Sequence, residues 1–102
     1  MNRVDGKIVL ITGAARGLGA ATALKLSQAG AKVVLTDLLD EFGEQVVSKI
    51  HAEGGDALYL NHDVTDEPSW ERSIQKTREH FGGLDVLVNN AGIIGHVRLE
   101  PP

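Results

Sequence analysis

The sequence predicts an α/β fold, a doubly wound parallel sheet built in the order βαβαβαβ. Three observations carry that expectation. Short apolar runs rich in β-branched residues alternate with longer stretches of helical period. Glycines punctuate most of the junctions between them. Three glycines also crowd into TGAARGLG, residues 12–19, where the first strand turns into the first helix. Alternation of this kind implies parallel strands joined by right-handed crossovers.

Taken in order, residues 7–12 (KIVLIT) read as a buried strand. From Arg16 to Ala29 the period is helical: Gly19, Ala23 and Leu26 fall on one face, and Gly30 supplies the stop. Residues 32–36 (KVVLT) form a second buried strand. Asp40 is the expected N-cap of a helix from Glu41 to Glu53, with Phe42, Val46 and Ile50 as its inward stripe and Gly54-Gly55 as its end. Residues 57–64 (ALYLNHDV) give the third strand. Thr65 or Asp66 then caps a third helix, with Pro68 in the first turn, where a missing N–H costs little. Trp70, Ile74, Thr77 and Phe81 share one of its faces, and Gly82-Gly83 closes it. Residues 84–88 (LDVLV) make the fourth strand, and NNAGIIGHVRLEPP reads as loop.

The expected strand order is 3-2-1-4. It puts the first two helices on one face of the sheet and the third on the other, because the order reverses at the first strand. The fourth strand is then an open apolar edge, and the 102 residues alone are expected to be aggregation-prone or partly molten.

At 102 residues the chain has room for one domain. Its 42% hydrophobic and 24% charged residues are those of an ordinary soluble globular protein. A net charge of −4 without a basic run argues against nucleic-acid binding. The absence of cysteine excludes disulfides and thiolate metal sites and fits a cytoplasmic protein. Apolar runs such as IVLI are too short to span a bilayer, and MNRVDGK has no apolar stretch behind its charges, so neither a membrane span nor a signal peptide is expected. His51, His62, His80 and His96 lack ligand spacing, and no metal is expected. Glu41, Glu44 and Glu53 read as a solvated helix face.

The glycine cluster has a physical purpose at a strand–helix junction. Free backbone N–H groups and the positive helix end make the mouth of such a loop a phosphate site. Gly13 permits the tight turn, Gly17 lets a pyrophosphate approach the backbone, and Gly19 lets the helix pack close on the strand. The spacing is G-x3-G-x-G, not the G-x-G-x-x-G of the usual dinucleotide fingerprint. Asp37 follows just past the second strand, 18 residues beyond Gly19, where an acidic residue can accept hydrogen bonds from the adenosine ribose hydroxyls. A carboxylate there would repel a 2′-phosphate by on the order of 4 kcal/mol before salt screening, for unit charges about 4 Å apart near a surface. NAD is therefore expected over NADP, although Arg16, beside the loop, points the other way. Asp63, at the end of the third strand, can accept from the adenine amino group. NNAG, residues 89–92, ends the fourth strand beside the glycine loop.

TGAARGLG, Asp37, Asp63-Val64 and NNAG, in this order and spacing, resemble the compact single-domain branch of the short-chain dehydrogenase/reductase family. The resemblance covers the whole chain. It implies a Rossmann-type fold, the N-terminal part of an NAD(P)-binding domain, and an oxidoreductase acting on an alcohol or carbonyl. It also implies a homo-oligomer, a tetramer or dimer, when complete. By position, Gly13, Arg16, Gly17, Leu18 and Gly19 would line the pyrophosphate, Asp37 would hold the adenosine ribose, and Asp63 and Val64 the adenine. Asn90, Ala91 and Gly92 would border the cofactor, and the asparagines would tie neighbouring strands together.

The family's Tyr-x-x-x-Lys pair, upstream Ser and helix Asn all lie downstream of NNAG, whereas this sequence stops ten residues after Gly92. Its one tyrosine, Tyr59, sits in the third strand with no lysine four residues on. No residue here is expected to be catalytic, and the 102 residues are expected to be inactive alone. Three readings follow: the cofactor-binding half of an NAD-dependent dehydrogenase, a non-catalytic NAD-binding module of the same family, or a different α/β domain for FAD or S-adenosylmethionine. The glycine spacing and NNAG disfavour the third. Continuity of the phosphate loop, ribose acid and adenine contact favours the first.

Overall fold

The computed structural model describes residues 4–91. Its elements run β1 (Ile8–Thr12), α1 (Gly17–Gln28), β2 (Lys32–Asp37), α2 (Asp40–Ala52), β3 (Asp56–Asn61), α3 (Glu67–Phe81) and β4 (Val86–Asn89). All four strands are parallel in the order β3-β2-β1-β4, the order the sequence predicts. The register aligns Ile11 with Leu35 and Val88, and Leu35 with Tyr59, so the C-terminal strand ends finish on one edge of the sheet.

Alternation along the strands separates two faces. Val9, Ile11, Val33, Leu35, Ala57 and Tyr59 pack with Ala23 of α1 and Val47 and Ile50 of α2 in one buried cluster. Lys32, Val34 and Thr36 point the other way, toward α3: the Lys32 ammonium lies over the Phe81 ring, and His62, bonded to Thr36, meets Trp70. The third helix thus packs on the opposite face, over β2.

Several boundaries differ from the sequence reading. β3 ends at Asn61 rather than Val64, because β2 offers no partner strand beyond Asp37; one further bond, from His62 N–H to Asp37 O, closes the ladder. β4 starts at Val86, since Asp85 is occupied as a clasp: its N–H donates to Ile8 O and its carboxylate accepts from Ile8 N–H. Asp40 is the first residue of α2 rather than its N-cap, which is Leu39. Its carboxylate accepts from Tyr59 and Asn61 instead of from the helix.

Two inward stripes also shift. In α2 the buried positions are Gly43, Val47 and Ile50, while Phe42 is exposed. Gly43 takes the inward place because the Tyr59 ring lies against it, and a Cβ there would overlap the ring. In α3 the buried residues are Ser69, Ser73 and Thr77; Trp70, Ile74 and Phe81 lie half-buried along the flank. Small side chains let this helix settle close to the sheet, and Thr77 spends its hydroxyl on Ser73 O. At the far edge Val86 and Leu87 of β4 are 41% and 42% exposed, the open apolar edge expected of the fourth strand.

Candidate nucleotide site

The C-terminal strand ends surround a cleft of about 470 Å³. At its floor β1 passes into the glycine loop. Gly13 has φ +62, and a Cβ there would come within 2.7 Å of Asn90 O and Ala91 Cα, so only glycine lets this turn lie against the end of β4. Gly17 opens α1 with φ +61, and the space where its Cβ would stand is empty. Gly19 does not line the cleft. It is buried beneath the loop, where any Cβ would overlap Gly13 O. The tight turn at Gly13 and the close packing at Gly19 are those the sequence reading expected, but Gly19 is not in the cleft wall, where the resemblance put it.

The start of α1 is chemically unfinished. Its N-cap is Arg16, whose side chain makes no capping bond, and no acidic residue stands in the first turn. The first N–H groups of the helix and its positive end therefore meet the cleft with no side-chain cap and no acid of their own turn. Arg16 lines the cleft and is exposed; Leu18 is 74% exposed and does not line it.

Asp37 is the last residue of β2, not a loop residue beyond it. Its Oδ2 accepts from Ala15 N–H at 3.0 Å, and its Oδ1 accepts from the N–H groups of Leu38 and Leu39 at 2.7 and 3.2 Å. One side chain thus joins the glycine loop to the β2–α2 turn. Its carbonyl accepts from the Tyr59 hydroxyl at 2.8 Å.

Asp63 lies in the turn after β3 rather than in the strand. Its Oδ1 accepts from Thr65 N–H at 2.9 Å and the Thr65 hydroxyl at 2.6 Å, which together hold its carboxyl below the usual carboxylate range. The turn is pinned to α3, where Ser69 Oγ accepts from Asp63 N–H and Trp70 Nε1 donates to Val64 O at 2.8 Å. At the end of β4, the Thr12 hydroxyl donates to Asn89 Oδ1 at 2.6 Å and accepts from Asn90 N–H at 2.9 Å. Asn90 Nδ2 also reaches Gly13 O at 3.4 Å. The two asparagines tie β4 to β1, as the resemblance implied.

The cleft therefore brings together Gly13, Arg16, Gly17 and Asp37 on one side and Asp63, Val64, Asn90 and Ala91 on the other. Gly92 and His96 lie outside the described residues. The sequence reading missed Leu38, Leu39, His62 and Thr65, which also line the cleft. Their signal was adjacency: each follows a strand end on the ligand edge of an open α/β sheet. Thr12, which knots the glycine loop to the asparagines, was missed as well. His62 is buried, with Nδ1 2.9 Å from Thr36 Oγ1 and its ring edge-on to Trp70 at 4.4 Å. Burial lowers its pKa below the ordinary histidine value.

A family model described as short chain dehydrogenase matches residues 7–101. The chain belongs to the short chain dehydrogenase family. It is 54% identical over 93 residues to the 2,5-dichloro-2,5-cyclohexadiene-1,4-diol dehydrogenase of Sphingobium indicum, covering 91% of this chain and 37% of that protein. It is 50% identical over 105 aligned residues to the trans-4-hydroxycyclohexanecarboxylate dehydrogenase of Sinomonas cyclohexanicum, covering 97% of this chain and 40% of that one. Among solved structures, a hydroxysteroid dehydrogenase from Escherichia coli superposes with a TM-score of 0.86 at 36% identity, over 98% of this chain and 43% of its own length. The chain thus spans about two fifths of the relatives it matches. Membership of this family implies a nicotinamide cofactor. Among the described residues no helix is long and apolar enough to cross a membrane, and no cluster of three or more His, Asp or Glu could hold a metal.

Proposed function

We propose that this chain is the cofactor-binding part of an NAD(H)-dependent oxidoreductase that interconverts an alcohol and a carbonyl. The observation that carries the proposal is the union of two features in one cleft: an uncapped helix N-terminus behind a glycine turn, and a carboxylate at the adjoining strand end. The space over Gly17 and the N–H groups behind it suit a pyrophosphate, with the exposed Arg16 as a countercharge. Gly13 and Gly19 hold the turn in the shape that leaves this space open, and Leu18 extends the exposed rim.

Asp37 sets the preference for NAD over NADP. Three backbone N–H groups keep its carboxylate in place, and Oδ2 retains a lone pair for a ribose hydroxyl. A 2′-phosphate in the same position would meet a fixed negative charge. Asp63 and Val64, with Leu38 opposite, form the adenine end. Asn90 and Ala91 border the cofactor on the side of β4, and the family resemblance adds Gly92 to them.

When bound, the nicotinamide accepts hydride from an alcohol or gives it to a carbonyl. The accompanying proton transfer is assigned to no residue of this chain; the Tyr59 hydroxyl is held by Asp37 O and Asp40, away from any open space of the cleft. The substrates named for the two relatives above are hydroxylated six-membered rings, so ring-borne secondary alcohols are the first class to assay.

The test is titration of the chain with NADH and NADPH, followed by the fluorescence of the reduced nicotinamide. NADH is expected to bind tighter, and Asp37→Ser is expected to erase most of the difference. An unchanged ratio in that variant would remove the role given to Asp37.

A further inference from the structure

Resting on the NAD(H) reading above, we infer that Tyr59 is a positioning residue for nucleotide selectivity, setting the β2–α2 junction where Asp37 ends the strand. Tyr59 lies in β3 on the face away from α3, one strand from Asp37, and is 8% exposed. Its hydroxyl is 2.8 Å from Asp37 O and 2.7 Å from Asp40 Oδ1. Both partners are acceptors, so the one phenolic proton is shared across the two ends of the 37–40 turn. Asn61 Nδ2 donates to the same Asp40 oxygen at 2.8 Å and keeps that carboxylate facing the hydroxyl. The phenol is thereby locked in its protonated form: burial and the neighbouring Asp40 both push its pKa upward.

The position has been built to hold this ring. Gly43, on α2, is the site where any side chain would overlap the ring carbons of Tyr59. An ordinary core residue would need no such concession from the neighbouring helix. A phenylalanine would fill the same space and leave Asp37 O with only the His62 N–H, and Asp40 with only Asn61. The carboxylate of Asp37 would keep its own bonds to Leu38 and Leu39, but the segment from Asp37 to Asp40 would lose the one hydroxyl that ties both its ends to β3, leaving Asn61 and His62 as its remaining ties there. Discrimination against a 2′-phosphate depends on where that charge stands, so loosening the turn should weaken NADH binding more than NADPH binding.

The experiment compares Tyr59→Phe with the parent full chain. Dissociation constants for NADH and NADPH are measured by nicotinamide fluorescence, with circular dichroism and a thermal melt to check the fold. The expected result is a folded variant whose NADH preference over NADPH has fallen about three- to tenfold, the scale of one intramolecular hydrogen bond. A folded variant with an unchanged ratio overturns the inference, even if both affinities fall together, since a merely structural residue would do that. Should the variant fail to fold, the parent is labelled with 3-fluorotyrosine, which reports on Tyr59 alone because the chain has a single tyrosine. Its fluorine resonance is expected to shift on saturation with NADH and less with NADPH. Equal responses, or none, overturn the inference. A parent that binds neither nucleotide instead overturns the NAD(H) reading itself.

Discussion

The amino ends of α1 and α3 open toward the same edge of the sheet, yet the sequence treats them in opposite ways. Asp66 caps α3: its Oδ2 accepts from Ser69 N–H at 3.1 Å, Glu67 adds an acidic group to the first turn, and Pro68 removes a donor that would otherwise want a partner. That end is complete. α1 begins with an arginine that caps nothing, followed by a glycine at positive φ and no acid in the first turn. Leaving a helix end uncapped gives up about 1 kcal/mol of available stability. Such a concession makes sense where a ligand anion supplies the missing charge.

The contrast can be broken by experiment, and the largest effect should come from Gly19. Gly19→Ala forces a Cβ against Gly13 O and should cost about 1–3 kcal/mol of stability, read by urea unfolding, while abolishing nucleotide binding. Next, Arg16→Asp gives α1 the cap it lacks. The unliganded protein should gain about 0.5–1 kcal/mol by the same unfolding assay. NADH binding should weaken by about tenfold or more, because the new carboxylate occupies the phosphate end. A variant that gains stability and keeps its affinity would show that α1 is merely an unoptimised helix. Asp66→Ala sharpens the comparison from the other side, with about 1 kcal/mol lost in unfolding and NADH affinity little changed.

The smallest effect concerns pH. Burial holds the His62 pKa below its ordinary 6.5, with Arg72 adding to the depression and Asp63 opposing it. Its buried Nε2 has no hydrogen-bond partner among the described residues, so a proton there would bring an uncompensated charge. Above about pH 6.5 both folded and unfolded chains keep this histidine neutral. As pH falls below that value the unfolded chain takes up the proton first, so stability should decline. A melt series from pH 7.5 to 5.5 should show the decline, and His62→Gln should flatten it.

How much could be read without the structure differs element by element, and the reason is physical. Each strand and helix announced itself through local periodicity, and the strand order followed from the handedness of the crossovers. The glycine loop, Asp37 and NNAG were readable because backbone conformation and charge are properties of single residues. Inward stripes were less so. Phe42 looked like a core residue by spacing, but the Tyr59 ring claims that place and leaves it to Gly43. Of the face expected to carry Trp70, Ile74, Thr77 and Phe81 in α3, only Thr77 is buried, beside Ser69 and Ser73, while the three large side chains lie half-buried.

The sequence by itself determined the fold class, the four-strand order, the place of the glycine loop and the acidic residue at the end of β2. Those follow from pattern and composition, which act over a few residues at a time. Only the tertiary structure decided what each polar side chain is bonded to. Asp40 serves Tyr59 rather than its own helix, Thr12 knots the glycine loop to Asn89 and Asn90, and Leu38, Leu39 and His62 enter the cleft wall. Such partners lie tens of residues apart in the chain and meet only when parallel strands bring their carboxyl ends to one edge, a proximity that no local pattern encodes.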